Sequence, residues 1–116
     1  MLAGPGAESG AHQGVLQVNH YSGKGEQDQI APDVAMSVDT WHCLEMSYEP
    51  GQKAVQVWLD NEPVPALTVM GSFERGDNDG FDPAPPLEAV RFGAEIAATE
   101  AWFDDIAVGT EPVGCD

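Results

Sequence analysis

Trp41-His42-Cys43-Leu44-Glu45-Met46-Ser47-Tyr48-Glu49 and Lys53-Ala54-Val55-Gln56-Val57-Trp58-Leu59-Asp60 are joined by Pro50-Gly51-Gln52. Both halves alternate with a period of two, the repeat of a pleated strand. Trp41, Cys43, Glu45 and Ser47 fall on one face of the first half, and His42, Leu44, Met46 and Tyr48 on the other. In the second half Val55, Val57 and Leu59 oppose Gln56 and Trp58, and this supply of β-branched and aromatic side chains suits a half-buried strand. Glu49-Pro50-Gly51-Gln52 sets proline second and glycine third, the requirement of a type II turn. The stretch therefore predicts a β-hairpin, and the rest of the chain is read outward from it.

Toward the amino terminus, residues 15–21 alternate, with Gln17, Asn19 and Tyr21 on one face and Leu16, Val18 and His20 on the other. Residues 22–33 are polar and read as a long connection, followed by a short strand over 34–38. Residues 1–13 show no period and read as a flexible arm, which leaves 14–116 as a single β-sandwich domain. Toward the carboxyl terminus, Asp60-Asn61-Glu62-Pro63 is a turn, and 64–69 an edge-like strand in which Pro65 is tolerable. Residues 71–86 form the main irregular loop, and 87–93 and 101–108 read as strands with a loop or short helical turn between them. Short strands separated by Pro/Gly turns, with no 3.6-residue period, predict an all-β antiparallel sandwich.

At 116 residues one hydrophobic core is the ceiling. Four Lys plus Arg against 20 Asp plus Glu give a formal net charge of −16, which argues against nucleic acid and against an anionic membrane as partner. No apolar run is long enough to span a bilayer, and the first residues show neither the basic nor the apolar region of a signal peptide. Cys43 and Cys115 have no metal-type spacing; a disulfide is the simplest reading, with two buried thiols as the alternative.

Sugar recognition needs aromatic platforms and planar hydrogen-bonding groups on one sheet face, because a pyranose stacks its C–H face and presents hydroxyls at its edge. Gln17, Asn19 and Tyr21, with Gln56 and Trp58 on the hairpin, are the carbohydrate-binding candidates; Trp41 and Glu45 alternate in the same manner. Polysaccharide β-elimination needs a base and a group that neutralises a uronate carboxylate, roles for which Tyr21, His20 and Arg91 are the candidates. His20 and Tyr21 are adjacent, so a strand points them to opposite faces, and the negative charge of the chain repels a polyuronate. Two adjacent carboxylates, Asp104 and Asp105, sit in the apolar run 102–108, and strand alternation forbids them one reaction centre. The loop Asp77-Asn78-Asp79-Gly80-Phe81-Asp82 has only part of a calcium-loop pattern, and His12, His20 and His42 lack zinc or copper spacing.

Taken together, Trp41-His42-Cys43-Leu44-Glu45, the hairpin running to Val64-Pro65, Val90-Arg91-Phe92-Gly93, and Trp102-Phe103-Asp104-Asp105-Ile106-Ala107-Val108 ending in Gly114-Cys115 resemble the C-terminal half of concanavalin A-like lectin/glucanase jelly rolls. The resemblance is strongest to secreted, cellulose-induced proteins related to polysaccharide lyases. It implies a jelly roll with a sugar-facing sheet and a secreted protein. It also implies a structural calcium ion at Asp104 and Asp105, and a disulfide between Cys43 and Cys115. Members of that group are longer, so the jelly roll is expected to be truncated, with open sheet edges that favour a homodimer. The expected function is binding of plant or microbial polysaccharide, with a polysaccharide lyase and a non-catalytic structural or interaction module as alternatives.

Overall fold

A computed structural model describes residues 6–12, 15–22, 25–37, 39–71, 82–90 and 102–115. Two antiparallel three-stranded sheets form the architecture. Sheet A holds β1 (Gly6–His12), β2 (Val15–Ser22) and β3 (Gly25–Ala35) in the order β1-β2-β3. Sheet B holds β4 (Leu44–Glu49), β5 (Ala54–Leu59) and β6 (Glu62–Pro63) in the order β4-β5-β6. Apart from two 3-10 turns, Pro50–Gln52 and Pro65–Leu67, the described residues contain no helix. The predicted all-β sandwich is the fold.

Alternation explains the packing. In β2 Leu16, Val18 and His20 are buried, whereas Gln17 and Asn19 are partly exposed. In β5 Val55 and Val57 are buried, and Gln56 and Trp58 are half-exposed. One core joins the two sets: Leu16, Val18 and Ala31 of sheet A pack with Val55, Val57, Val64, Leu67 and Ala84. Each sheet thus has an inner face on this core and an outer face turned away from it, as in any two-layer sandwich.

Several local expectations change. Part of the predicted arm, residues 6–12, is β1, paired with β2 along its whole length from Gly6↔Tyr21 to His12↔Val15. Most of the predicted connection, residues 25–33, belongs to β3, whose ladder with β2 runs from Ser22↔Gly25 to Leu16↔Ala31. Polar composition concealed both strands, since ladder hydrogen bonds need no apolar side chain. The next pair is Val15↔Ala35, so residues 32–34 bulge out of register. Pro32 lies in that bulge and has no N–H to give the ladder.

On the hairpin, the loop between Glu49 and Ala54 is a 3-10 turn closed by Lys53 N–H on the Pro50 carbonyl at 3.2 Å. The positive φ falls on Lys53, at 52°, rather than on Gly51, so the turn is not type II. Asp60 and Asn61, with φ of 51° and 68°, form the two-residue connection between Leu59 and its partner Glu62, the pattern of a type I′ hairpin. Pro65 opens a 3-10 turn in place of an edge strand, and Val69 returns to make a single bridge with Val55. Residues 87–90 and 102–108 form no strand; in the latter Trp102 is 80% and Val108 69% exposed. A strand needs a neighbour for its N–H and C=O groups, and among the described residues none lies alongside this run.

The segment Asp82-Pro83-Ala84-Pro85 is held by both sheets. From sheet A, buried His20 Nδ1 donates to the Pro83 carbonyl at 3.1 Å, while its Nε2 meets the Gln29 side-chain amide oxygen at 2.7 Å. From sheet B, the Tyr48 hydroxyl donates to the Pro85 carbonyl. Prolines offer only acceptors, so donors on the sheets must come to them. Desolvation, and then the charge of Asp82, push the Tyr48 hydroxyl up to about 12. A raised folded-state value means the neutral phenol contributes stability that is complete below about pH 10, the unfolded value, and is lost as pH rises toward 12. A spectrophotometric titration should show one phenol ionising late, together with loss of cooperative folding. Tyr48→Phe should remove that late step, and a Tyr48 that ionises near pH 10 in the folded protein would contradict the burial argument.

Candidate functional site

Sheet A carries the more polar outer face. Gln17 and Asn19, two residues apart on the central strand, bring their side chains together, the Gln17 amide donating to the Asn19 carbonyl oxygen. Tyr21 continues the same alternation on β2, with Gly6 and Glu26 as its register partners. Asn19 pairs with Glu8 on β1 and Asp28 on β3, and Gln17 with Gly10 and Ile30. Directly paired residues share a face, so the predicted row stands in a framework of polar and acidic positions with Ile30, 49% exposed, at one end.

Gln56 and Trp58 occupy the outer face of sheet B. Their register partners are Ser47 and Glu45. Because the inner faces of both sheets meet at the core, these two residues lie on the opposite side of the sandwich from Gln17 and Asn19. Gln17 and Asn19 on one side and Gln56 and Trp58 on the other therefore make two patches and not one cleft. Residue spacing within a strand separates inward from outward positions, but it does not tell which outward faces share a side of the molecule.

The outer face of sheet B is also where the carboxyl-terminal segment is fastened. A Cys43–Cys115 disulfide, with Cα atoms 6.0 Å apart, closes the link, and the described residues include no free cysteine. One carboxylate oxygen of Glu45 accepts the backbone N–H groups of Val113 at 3.0 Å and Gly114 at 2.6 Å. The Asn61 side chain pairs with Cys115 in both directions, accepting its N–H at 2.9 Å and donating to its carbonyl at 3.1 Å. Beside this clamp, Asp60 receives the Cys43 N–H at 2.8 Å and meets His42 Nδ1 at 2.9 Å. The His42 hydrogen bond, followed by that from Cys43, holds the Asp60 carboxyl below the ordinary carboxylate range. Glu45 is thus committed to backbone donors, and its role was hidden in the sequence because its partners lie 68 and 69 residues away.

His20 is fully buried on the inner face of β2, bonded to Pro83 and Gln29, and cannot reach a polysaccharide from there. Its complete burial was not legible from neighbours as polar as Asn19. Arg91 lies outside the described residues. So do Asp77 and Asp79, whereas Asp82 caps the Ala84 N–H at 3.0 Å.

Asp104 and Asp105 are exposed, and Asp105, at φ 50°, gives its N–H to the Asp104 carboxylate at 2.8 Å. They supply the hard oxygen donors that calcium prefers, yet calcium takes six to eight oxygens. Among the described residues no group of three or more His, Cys, Asp or Glu is placed to hold a metal ion, so these two carboxylates do not complete a site on their own.

The family described as polysaccharide-lyase-like, Cip1-like core domain, matches residues 9–111. The chain belongs to this family. No curated protein and no solved structure matches it. The match runs from within β1 through the rest of both sheets and the Pro83–Pro85 segment into the carboxyl-terminal run. That membership makes the chain a polysaccharide-related module. No described helix is long and apolar enough to cross a membrane.

Proposed function

We propose that this Cip1-like domain binds polysaccharide on the outer face of sheet A, through Gln17, Asn19 and Tyr21, without cleaving it. The observation that carries the reading is the Gln17–Asn19 side-chain pair on the central strand of a polar sheet face. Two planar amides held by one another present fixed donors and acceptors to a row of sugar hydroxyls at low entropic cost. Tyr21, two residues on, offers an aromatic surface against which a sugar C–H face can stack. Burial of His20 removes one of the candidate bases and weighs against β-elimination at this strand. The disulfide fits an oxidising, extracellular setting, in which a polysaccharide partner would be met.

The test is depletion of the protein from solution by insoluble cellulose, xylan and mixed β-glucan. Binding to at least one neutral polymer is expected, weakened about tenfold by Tyr21→Ala or by Gln17→Ala with Asn19→Ala, since losing one stacking or bidentate contact costs roughly 1–2 kcal/mol. Trp58→Ala, on the other side of the sandwich, should leave it within twofold. Equal binding by all variants, or none by the wild type, would remove the assignment. Absorbance at 235 nm should stay flat on polyuronates, and a steady rise would establish the lyase reading instead.

Calcium at Asp104 and Asp105, with oxygens from elsewhere, belongs to the same reading as its structural ion. Restoring calcium after EDTA treatment should raise Tm by a few degrees, as expected for a ligand that binds only the folded chain. An unchanged Tm would remove the ion from the account.

A further inference from the structure

We propose that the exposed run 102–113 is a second polysaccharide contact, fastened on the side of the sandwich away from sheet A, and that the domain therefore holds two glycan chains at once. The two-chain claim rests on the reading of sheet A as the first site; the contact itself rests on the run alone. Trp102 is 80% and Phe103 52% exposed, and Ile106, Val108 and Val113 are exposed with them. Single apolar residues are common on any surface, but five large ones within twelve residues mark an interaction site. The run is also held in place. Within it the Asp104 carboxylate accepts the Asp105 N–H at 2.8 Å, across a bend where Asp105 has a φ of 50°. At its end Glu45 takes the Val113 and Gly114 N–H groups, and Cys115 is bonded to Cys43. Glu45 is the register partner of Trp58, so this fastening lies on the outer face of sheet B, away from Gln17 and Asn19. A fixed end lowers the ordering entropy that binding costs.

Chemistry selects the occupant. An indole and a phenyl ring, both open to solvent, suit the C–H face of a pyranose, which stacks on aromatic carbon and needs no charge complement. The chain belongs to a polysaccharide-related family, so such a partner is at hand. A second copy of the chain is the rival occupant, and charge opposes it. Each copy carries −16, and a two-fold contact through the run would bring Asp104, Asp105 and Glu111, all exposed, toward their own counterparts. Like charges brought together in this way work against association, whereas a neutral glycan meets no such opposition.

The test compares the wild type with Trp102→Ala/Phe103→Ala, with Tyr21→Ala, and with Met70→Ala, which alters an exposed apolar residue outside the run. For each protein the urea midpoint, the affinity for a short soluble β-glucan oligosaccharide and the retention on an insoluble β-glucan are measured. The double variant should keep the wild-type midpoint, because both rings are exposed, and should bind the oligosaccharide within about twofold through sheet A. Its retention should fall about tenfold, since two contacts on neighbouring chains of a polymer mesh reinforce one another. Tyr21→Ala should lose both forms of binding, and Met70→Ala neither. Retention of the double variant within about twofold of the wild type would overturn the second contact, as would an equal loss by Met70→Ala. A lowered midpoint would show that the rings pack on the sandwich, with the same consequence. A double variant that loses only self-association in sedimentation would assign the run to a second copy. Lost retention in the double variant beside an unaffected Tyr21→Ala would keep the contact but overturn the two-chain claim, together with the sheet A reading.

Discussion

Complete reduction of the Cys43–Cys115 disulfide, or the double substitution Cys43→Ala/Cys115→Ala, is expected to lower the unfolding free energy by about 4 kcal/mol. The figure follows from the entropy of closing a loop whose ends are 72 positions apart in an unfolded chain. For a domain of this size it corresponds to a fall in Tm of roughly 10–20 °C. The effect should be mainly on the unfolded state. In the folded state the same junction keeps the Glu45 carboxylate on the Val113 and Gly114 N–H groups and the Asn61 amide on Cys115. These bonds are exposed, so they are worth little once water competes for the same groups. Without the covalent link, the run from 102 to 115 should gain protease sensitivity before the sandwich unfolds. Urea denaturation with and without reductant, with thiols counted by mass, gives the comparison. A fully reduced protein with an unshifted midpoint would contradict this account of how the carboxyl-terminal run is held.

Replacing His20 by alanine should cost about 2–4 kcal/mol, a combination of the cavity left by a fully buried ring and the loss of partners for the Pro83 carbonyl and the Gln29 amide. The damage should spread to the other sheet, because Pro83 and Pro85 belong to one segment, and Tyr48 holds its far end. His20→Gln, which keeps a donor, should recover part of the loss. A catalytic or sugar-contacting histidine would behave differently, with stability nearly unchanged and binding or turnover abolished. Urea midpoints measured beside glycan retention per folded molecule distinguish the two. A His20→Ala protein of wild-type stability would show that the link between β2 and the Pro83–Pro85 segment contributes nothing.

What could be read from the sequence follows the physics of each element. The β4–β5 pair was legible because its apolar alternation is required by a two-sided sheet, and β2 was legible for the same reason. β1 and β3 were not, since Gly, Ala, Ser and Gln side chains carry no periodic apolar signal while their backbones pair as well as any. A usable trace did exist: Glu26, Asp28 and Ile30 alternate with Gln27, Gln29 and Ala31, and Ala31 is the buried member. The run 102–108 erred the other way. Its composition is strand-like, yet strand formation depends on a neighbour, and the described part of the chain provides none. Gln17, Asn19, Gln56 and Trp58 lie on partly exposed positions, but the separation of the first pair from the second arises from the way two sheets stack, which no single strand records.

Mapping of backbone amide shifts by NMR during titration with a soluble neutral β-glucan oligosaccharide tests the central claim most directly, because it locates the sugar face without substitutions. The account predicts saturable shifts at Gln17, Asn19 and Tyr21 and at their register partners on β1 and β3, with Gln56 and Trp58 silent. Shifts gathered on Gln56, Trp58 and their β4 partners, with β2 unmoved, would contradict it.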